Sequence, residues 1–330
     1  MAPLALTLGE AAGVGPDITL MAWLRRQAFD LPPFYLCGDA TLLTRRAAQL
    51  GLSVDIASIT PEEAVAVFPR ALPVVETGIK ASARAGQPDD SSAPSAIAAI
   101  RHAVRDVRQG RACAVVTNPI AKSVLYRAGF HYPGHTEFLT ELAGTPGARA
   151  VMMLWSPQLC VVPVTIHMPL RAVWGALTPE LITATVGIVA AALRARFGIA
   201  SPRLAIAGLN PHAGEDGALG DEEETILAPA IRAARAEGFN LRGPLPADTL
   251  FHEAARQSYD CALCMYHDQA LIPIKTLAFD QAVNVTLGLD LIRTSPDHGT
   301  AFDIAGSGHA RADSLIAALR LAWRMAAAPT

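Results

Sequence analysis

Short apolar runs alternate with amphipathic stretches along most of this chain. Segments 3–8, 34–37, 54–59, 72–75, 112–116, 159–166, 203–208 and 261–265 have the length and continuity of buried strands. Segments 18–27, 41–50, 96–109, 120–127 and one running from Asp221 to Gly238 have helical character. In 96–109 the residues Ile97, Ile100, Val104 and Val107 share one face, with Ser95 placed to cap the helix and Gly110 to close it. Glu222, Glu223 and Glu224 fall in the first turn of the helix near Asp221, where carboxylates complement the helix dipole, a structural role. The polar, small-residue stretch 79–94 predicts a surface loop. Strands alternating with helices predict an α/β protein with a mainly parallel sheet and helices on its faces.

Composition narrows the class. A chain of 330 residues predicts two domains, each with its own core. Hydrophobic residues make up 51% and charged residues 17%, which excludes a disordered chain. A formal net charge of -3, with no run of Lys or Arg, predicts no nucleic-acid partner. The opening residues MAPLALTLGEAAG have no basic segment ahead of a long apolar core, and no stretch reaches the roughly 20 apolar residues of a membrane span. No membrane association is therefore expected. The cysteines (Cys37, Cys113, Cys160, Cys261, Cys264) are odd in number and lack a disulfide-framework spacing, which predicts a cytoplasmic protein. Cys261 and Cys264 sit in one strand-like run, where positions i and i+3 face opposite sides, so they read as two core residues.

Candidate chemistry gathers at the ends of the apolar runs. The loop Gly9 to Pro16 joins a strand to a helix, an arrangement that receives anions or makes a plain tight turn. It lacks the G-x-G-x-x-G spacing of a dinucleotide fingerprint. His135 and Thr136 fall at the N-terminus of a helix, where backbone N–H groups attract anions. His167, His212 and His267 each follow the carboxyl end of an apolar run, the side of an open α/β sheet on which ligands bind. Any one of them alone reads as an ordinary loop histidine. The repeated placement favours three imidazoles on a divalent metal with open positions, with Glu215 and Asp268 as partners of the rings. Lys275, Asn284 and Arg293 follow at expected loop positions between apolar segments and form the cation-plus-amide set that a phosphate or carboxylate requires.

The motifs GEAAGVGPDI, TNPIAKS, PGHTEFL, GLNPHAGEDGALGDEE, GPLPADTLF, YHDQALIPIK and VNVTLGLDLIRTSPDHGTAFDIAGSG resemble those of the 4-hydroxythreonine-4-phosphate dehydrogenase family of vitamin B6 synthesis. They run from residue 9 to residue 308. The resemblance implies an isocitrate/isopropylmalate dehydrogenase-like fold of two α/β domains with a cleft between them. Its expected boundaries are 1–130 plus 285–330 for a nucleotide-side domain and 131–284 for a domain carrying the metal and the dimer interface. It implies His167, His212 and His267 as metal ligands shared between the subunits of a homodimer. His135, Thr136, Lys275, Asn284 and Arg293 are implied as substrate-binding. HGTAFDIAGSG is similar to the nucleotide loop of isopropylmalate dehydrogenases and implies Asp297, His298, Gly299, Thr300, Ala301, Asp303 and Gly306 as NAD- or NADP-binding. Lys275, Asp248 and Asp268 are the catalytic candidates.

The implied reaction is metal-dependent oxidation of 4-phosphohydroxy-L-threonine at C3, with one zinc, magnesium or cobalt ion per site, followed by decarboxylation to 3-amino-2-oxopropyl phosphate. Dehydrogenases of threonate or erythronate 4-phosphate, a metal-dependent phosphate hydrolase and a non-catalytic metabolite-binding protein are the alternatives. Two positions depart from the family pattern: Glu10-Ala11 stands for Asp-Pro, and Ala270 for the glycine after YHDQ.

Overall fold

The computed structural model describes residues 1–132, 135–144 and 149–328, the side chains of 135–137 excepted. The chain opens with β1 (Leu4–Thr7), α1 (Gly15–Leu24), β2 (Phe34–Gly38), α2 (Ala40–Gln49), β3 (Ile56–Ser58), α3 (Ala64–Val67) and β4 (Leu72–Glu76). Next come α4 (Ala93–Arg108), β5 (Ala114–Thr117), α5 (Lys122–Arg127) and α6 (His135–Ala143). The middle of the chain supplies β6 (Val151–Trp155), β7 (Cys160–Pro163), α7 (Leu170–Ala176), α8 (Pro179–Phe197), β8 (Arg203–Ala207), α9 (Ala228–Ala236) and β9 (Asn240–Leu245). It continues through α10 (Ala247–Leu250), α11 (Glu253–Arg256), β10 (Cys261–Cys264), α12 (His267–Ala278) and β11 (Val283–Leu287), and the chain ends with β12 (Arg293–Pro296) and α13 (Asp313–Ala327).

These elements gather into two compact units, Met1–Ala150 with Leu289–Ala327, and Val151–Gly288. In the first unit the strand order is β3-β4-β2-β1-β5-β12, and every pair is parallel. β1, β2 and β5 are buried along their whole length, as strands covered by helices on both faces must be. α4 lays Ala96, Ile100, Ala103 and Val104 into this core. α13 packs on β12, where the Thr294 hydroxyl donates to Ala318 O at 2.9 Å. In the second unit the order is β11-β6-β7-β10-β8-β9, antiparallel at β11–β6 and β6–β7 and parallel from β7 onward. The mainly parallel α/β fold is the one the alternating pattern predicts.

Several details differ from expectation. The second unit begins at Val151 and not at 131, because α6 packs on the first unit: Phe138 is buried, its ring centroid 5.0 Å from that of Phe130, with the Arg101 guanidinium of α4 5.3 Å above it. It ends at Gly288 and not at 284, because β11 pairs along its length with β6, a strand the pattern does not single out. Ser95 lies inside α4, where its hydroxyl donates to Ser92 O at 2.8 Å. The α4 N-cap is Ser92, which makes no side-chain cap bond; the Asp89 carboxylate instead caps the 3-10 turn 90–92 that leads into α4, accepting Ser91 N–H at 2.8 Å. Cys261 and Cys264 are free, buried core thiols. Among the described residues no single helix is long and apolar enough to cross a membrane.

Candidate active site

β7, β10 and β8 lie side by side and parallel, so their carboxyl ends open on one edge of the second unit's sheet. His167 follows β7, His267 begins α12 directly after β10, and His212 follows β8. Val164 N–H donates to Cys264 O at 2.8 Å and the Thr165 hydroxyl to Met265 O at 2.7 Å, which carries the β7–β10 alignment past the strand ends. His167 and His267 consequently stand together, their ring centroids 5.7 Å apart. With Thr165, Leu170, Tyr266 and Asp268 they line a cavity of 420 Å³. Gln269 braces the same edge: its side chain accepts Met265 N–H at 2.6 Å and donates to Gly208 O at 2.7 Å.

Two of the three rings are held at Nδ1 by a carboxylate. His267 Nδ1 lies 2.6 Å from Asp268 Oδ1, and His212 Nδ1 lies 2.5 Å from Glu215 Oε2. A carboxylate there keeps the proton on Nδ1 and leaves the Nε2 lone pair as the ring's acceptor, the kind of donor that borderline divalent metals take. The hydrogen bond to Glu215, followed by that group's charge and that of Asp248, raises the His212 pKa above its ordinary value. One chain does not bring all three histidines together. Among the described residues no three His, Cys, Asp or Glu side chains form a group that could hold a metal. His167 and His267 make one limb of the expected site and His212 the other.

The His212 limb has an unusual backbone. His212, Ala213, Gly214, Glu215, Asp216 and Gly217 all take positive φ, from 45° at Glu215 to 88° at Gly217. For residues with a Cβ the left-handed region costs about 1–2 kcal/mol each, so surrounding contacts must over-determine this turn. Glu223 anchors the chain just before the turn. It is 4% exposed, and its Oε1 accepts Leu209 N–H and Asn210 N–H, both at 2.7 Å. Its Oε2 takes the Asn210 amide at 2.9 Å, and Glu222 takes the same amide at 2.6 Å. Glu223 and Glu224 do stand in the first turn, as expected, but that turn is π-helical, Glu223–Leu227, and Glu223 is in addition buried against the loop.

Lys275, Asn284 and Arg293 lie on regular elements and not in loops, which also corrects the sequence reading. Lys275 is on α12, a helix that continues through Pro273 because Ala270, Ile274 and Ala278 form a buried stripe. Its ammonium lies 5.2 Å from the Phe279 ring centroid. Asn284 is half-buried on β11. Arg293, on β12 of the first unit, is 4% exposed and donates to Thr117 Oγ1 at 3.2 and 2.7 Å. Burial lowers its pKa to about 10, so it stays charged at neutral pH. His135 and Thr136 begin α6; their side chains lie outside the described residues. Asp248, on α10, is exposed, and its charge acts on His212.

The expected nucleotide loop folds against the glycine loop of the same unit. Val14 N–H donates to Thr300 O at 2.9 Å, and a Cβ at Gly13 would lie 2.9 Å from that oxygen. Asp17, fully buried on α1, accepts Gly306 N–H at 2.6 Å through one oxygen and pairs with Arg46 through the other. The Arg46 guanidinium also donates to Ala11 O and Gly13 O, each at 3.0 Å. Gln49, one turn further along α2, donates to Gly306 O at 3.2 Å. Asp297 N–H reaches Ser314 Oγ at 3.3 Å; His298, Gly299 and Asp303 are exposed, while Ala301 is half-buried with φ 42°. Glu10, at the position of the family's usual Asp, is 1% exposed and accepts Ala12 N–H at 3.0 Å; burial raises its pKa. Asp17 falls within the motif GEAAGVGPDI, but nothing in the sequence marks Arg46 as its partner.

Comparison with known proteins gives concordant results. The profile of the family described as pyridoxal phosphate biosynthetic protein PdxA matches residues 30–322. A protein of Bradyrhizobium diazoefficiens named 4-hydroxythreonine-4-phosphate dehydrogenase is 67% identical over 338 residues, covering 99% of this chain and 98% of its own. The crystal structure of 4-hydroxythreonine-4-phosphate dehydrogenase from Klebsiella pneumoniae superposes with a TM-score of 0.86 at 36% identity, covering 99% of this chain and 100% of its own. A terephthalate 1,2-cis-dihydrodiol dehydrogenase from Burkholderia xenovorans is similar at TM-score 0.64 and 27% identity, over 97% of each chain.

Proposed function

The chain belongs to the PdxA family of pyridoxal phosphate biosynthetic proteins, and from that premise we propose that it oxidises 4-phosphohydroxy-L-threonine. A hydride passes from C3 to NAD or NADP. The resulting β-keto acid loses carbon dioxide and leaves 3-amino-2-oxopropyl phosphate. The observation that carries this reading is the cavity at the strand ends, where His167 and His267 stand 5.7 Å apart and Asp268 fixes the second ring at Nδ1.

His167 and His267 of one protomer and His212 of a second copy would hold one zinc, magnesium or cobalt ion. When bound, such an ion would supply Lewis acidity, making the substrate hydroxyl easier to deprotonate and the ketone more polarised. Lys275 and Asp248 are the acceptors we propose for the hydroxyl proton. Asp268 accepts a hydrogen bond from His267 Nδ1, which suits it to holding the ring. Arg293, Lys275, Asn284, His135 and Thr136 are proposed for the substrate's phosphate and carboxylate. Arg293, charged and held beside Thr117, would supply a fixed positive charge to the site. The loop carrying Asp297, His298, Gly299, Thr300, Ala301, Asp303 and Gly306 is proposed for the dinucleotide.

The second copy has a face to meet. α7 and α12 flank the cavity, and Leu170 at 56%, Trp174 at 43% and Ile272 at 64% are exposed on them, with Phe279 at 70% just after α12, apolar side chains that a second copy would cover. A homodimer through this face supplies the third imidazole. Free cysteines suit the reducing cytoplasm.

Purified protein should form NADH from NAD and 4-phosphohydroxythreonine, and a chelator should abolish the absorbance change at constant fold. Metal-independent NADH formation would overturn the metal reading, and inorganic phosphate release without NADH would favour a hydrolase. The dihydrodiol dehydrogenase shows that this fold also serves a different dehydrogenase. Comparison of kcat/KM across threonate, erythronate and hydroxythreonine 4-phosphates therefore decides the substrate.

A further inference from the structure

We propose that Glu223 is the positioning residue of the His212 limb, holding a left-handed turn in the one backbone conformation that presents the His212 ring to a divalent metal. The inference rests on the reading of His212 as a metal ligand and concerns a residue that touches neither metal nor substrate.

Three observations carry it. The turn His212 to Gly217 lies wholly at positive φ, although His212, Ala213, Glu215 and Asp216 all carry a Cβ. Such a turn does not persist on local preference and relaxes unless it is anchored. The loop begins at the end of β8, and there Glu223 gathers both backbone N–H groups of Leu209 and Asn210 and the Asn210 amide. Space for that carboxylate is built into the loop. A Cβ at Gly214 would lie 2.8 Å from Glu223 Oε2, and one at Gly208 would lie 3.3 Å from Glu223 Oε1. A side chain at either position would crowd the carboxylate. Glu215 completes the arrangement by fixing the ring through Nδ1. Glu215 therefore sets the ring's tautomer, and Glu223 sets the path of the chain that carries it.

The test uses the full-length protein, with cobalt(II) as the probe. Glu223→Ala should weaken cobalt binding, measured by calorimetry on metal-free protein, by about 10–100-fold, the range for groups that orient a ligand. Amide hydrogen exchange of residues 208–217 should quicken, while the strands of the second unit keep their protection. Saturating cobalt should return kcat towards the wild-type value, because the limb is misplaced and not removed. Glu223→Gln keeps an oxygen for the two backbone N–H groups, so it should lose affinity only several-fold. It also serves as the test variant if Glu223→Ala does not fold.

His212→Ala separates the two levels of the argument. Wild-type cobalt affinity in that variant would overturn the ligand assignment itself. Loss of metal in His212→Ala with undiminished affinity in Glu223→Ala would overturn only the role of Glu223. Unchanged exchange of 208–217 in Glu223→Ala would also overturn it.

Discussion

Mixing His212→Ala protomers with His267→Ala protomers should restore activity that neither variant has alone. Each variant by itself should lose roughly 10³-fold or more in kcat/KM, since polarisation by a metal is worth several kcal/mol and each ~1.4 kcal/mol is a factor of ten. The recovery follows from geometry. His167 and His267 stand together on one chain, whereas His212 is not grouped with them. In a mixed dimer one site draws His167 and His267 from the His212→Ala protomer and His212 from the other, and is complete. The second site lacks two ligands. After random reassociation about half the dimers are mixed and each has one working site, so about a quarter of wild-type activity should return. A mixture of His167→Ala with His267→Ala is the control, because both losses fall on the same limb and no complete site can form. Mixed dimers verified by mass that remain inactive in the first experiment would show that one chain supplies all three ligands. Recovery in the control would show that His167 and His267 serve different sites.

The strand-end histidines were legible because buried parallel strands are continuous apolar runs, and whatever follows such a run lies at the sheet's edge. Cys261–Cys264 is the plainest case, with His267 opening the next helix. β6 shows the limit of that signal: Val151–Trp155 is equally apolar, but so short a run cannot be told from a piece of buried helix by period alone. Lys275 was misplaced because Pro273 looks like a breaker, although the stripe Ala270, Ile274, Ala278 carries the helix through it. Glu223 was hidden by a sufficient local explanation, since an acidic residue in a first helical turn already has a reason to be there. Its partners, the Leu209 and Asn210 N–H groups, lie across a loop that only tertiary structure folds back. The pairing of Asp17 with Arg46 left no trace for the same reason: Asp17 lies in the motif GEAAGVGPDI, but the bond between the two depends on how α1 and α2 pack.

Arg46→Met should lower the stability of the folded protein by about 3–5 kcal/mol, because it leaves the Asp17 carboxylate buried without its cation. Urea unfolding at neutral pH reads the loss. The usual remedy for a buried ion pair is to replace both partners with apolar groups, which is often neutral. Here the double variant Arg46→Met/Asp17→Leu should remain destabilised. The guanidinium also takes Ala11 O and Gly13 O, and the Asp17 carboxylate takes Gly306 N–H. Each such backbone group left without its partner costs about 1–3 kcal/mol, so the double variant removes the unpaired carboxylate but still leaves Ala11 O, Gly13 O and Gly306 N–H unsatisfied. Recovery of wild-type stability in the double variant would mean that the pair matters only as a pair. If the loss persists, Arg46 and Asp17 are a clasp between the glycine loop and the loop from Asp297 to Gly306. In that case dinucleotide affinity, measured by quenching of intrinsic fluorescence, should fall in parallel with stability, because the loop proposed for the nucleotide hangs from Asp17 through Gly306 N–H and from α2 through Gln49.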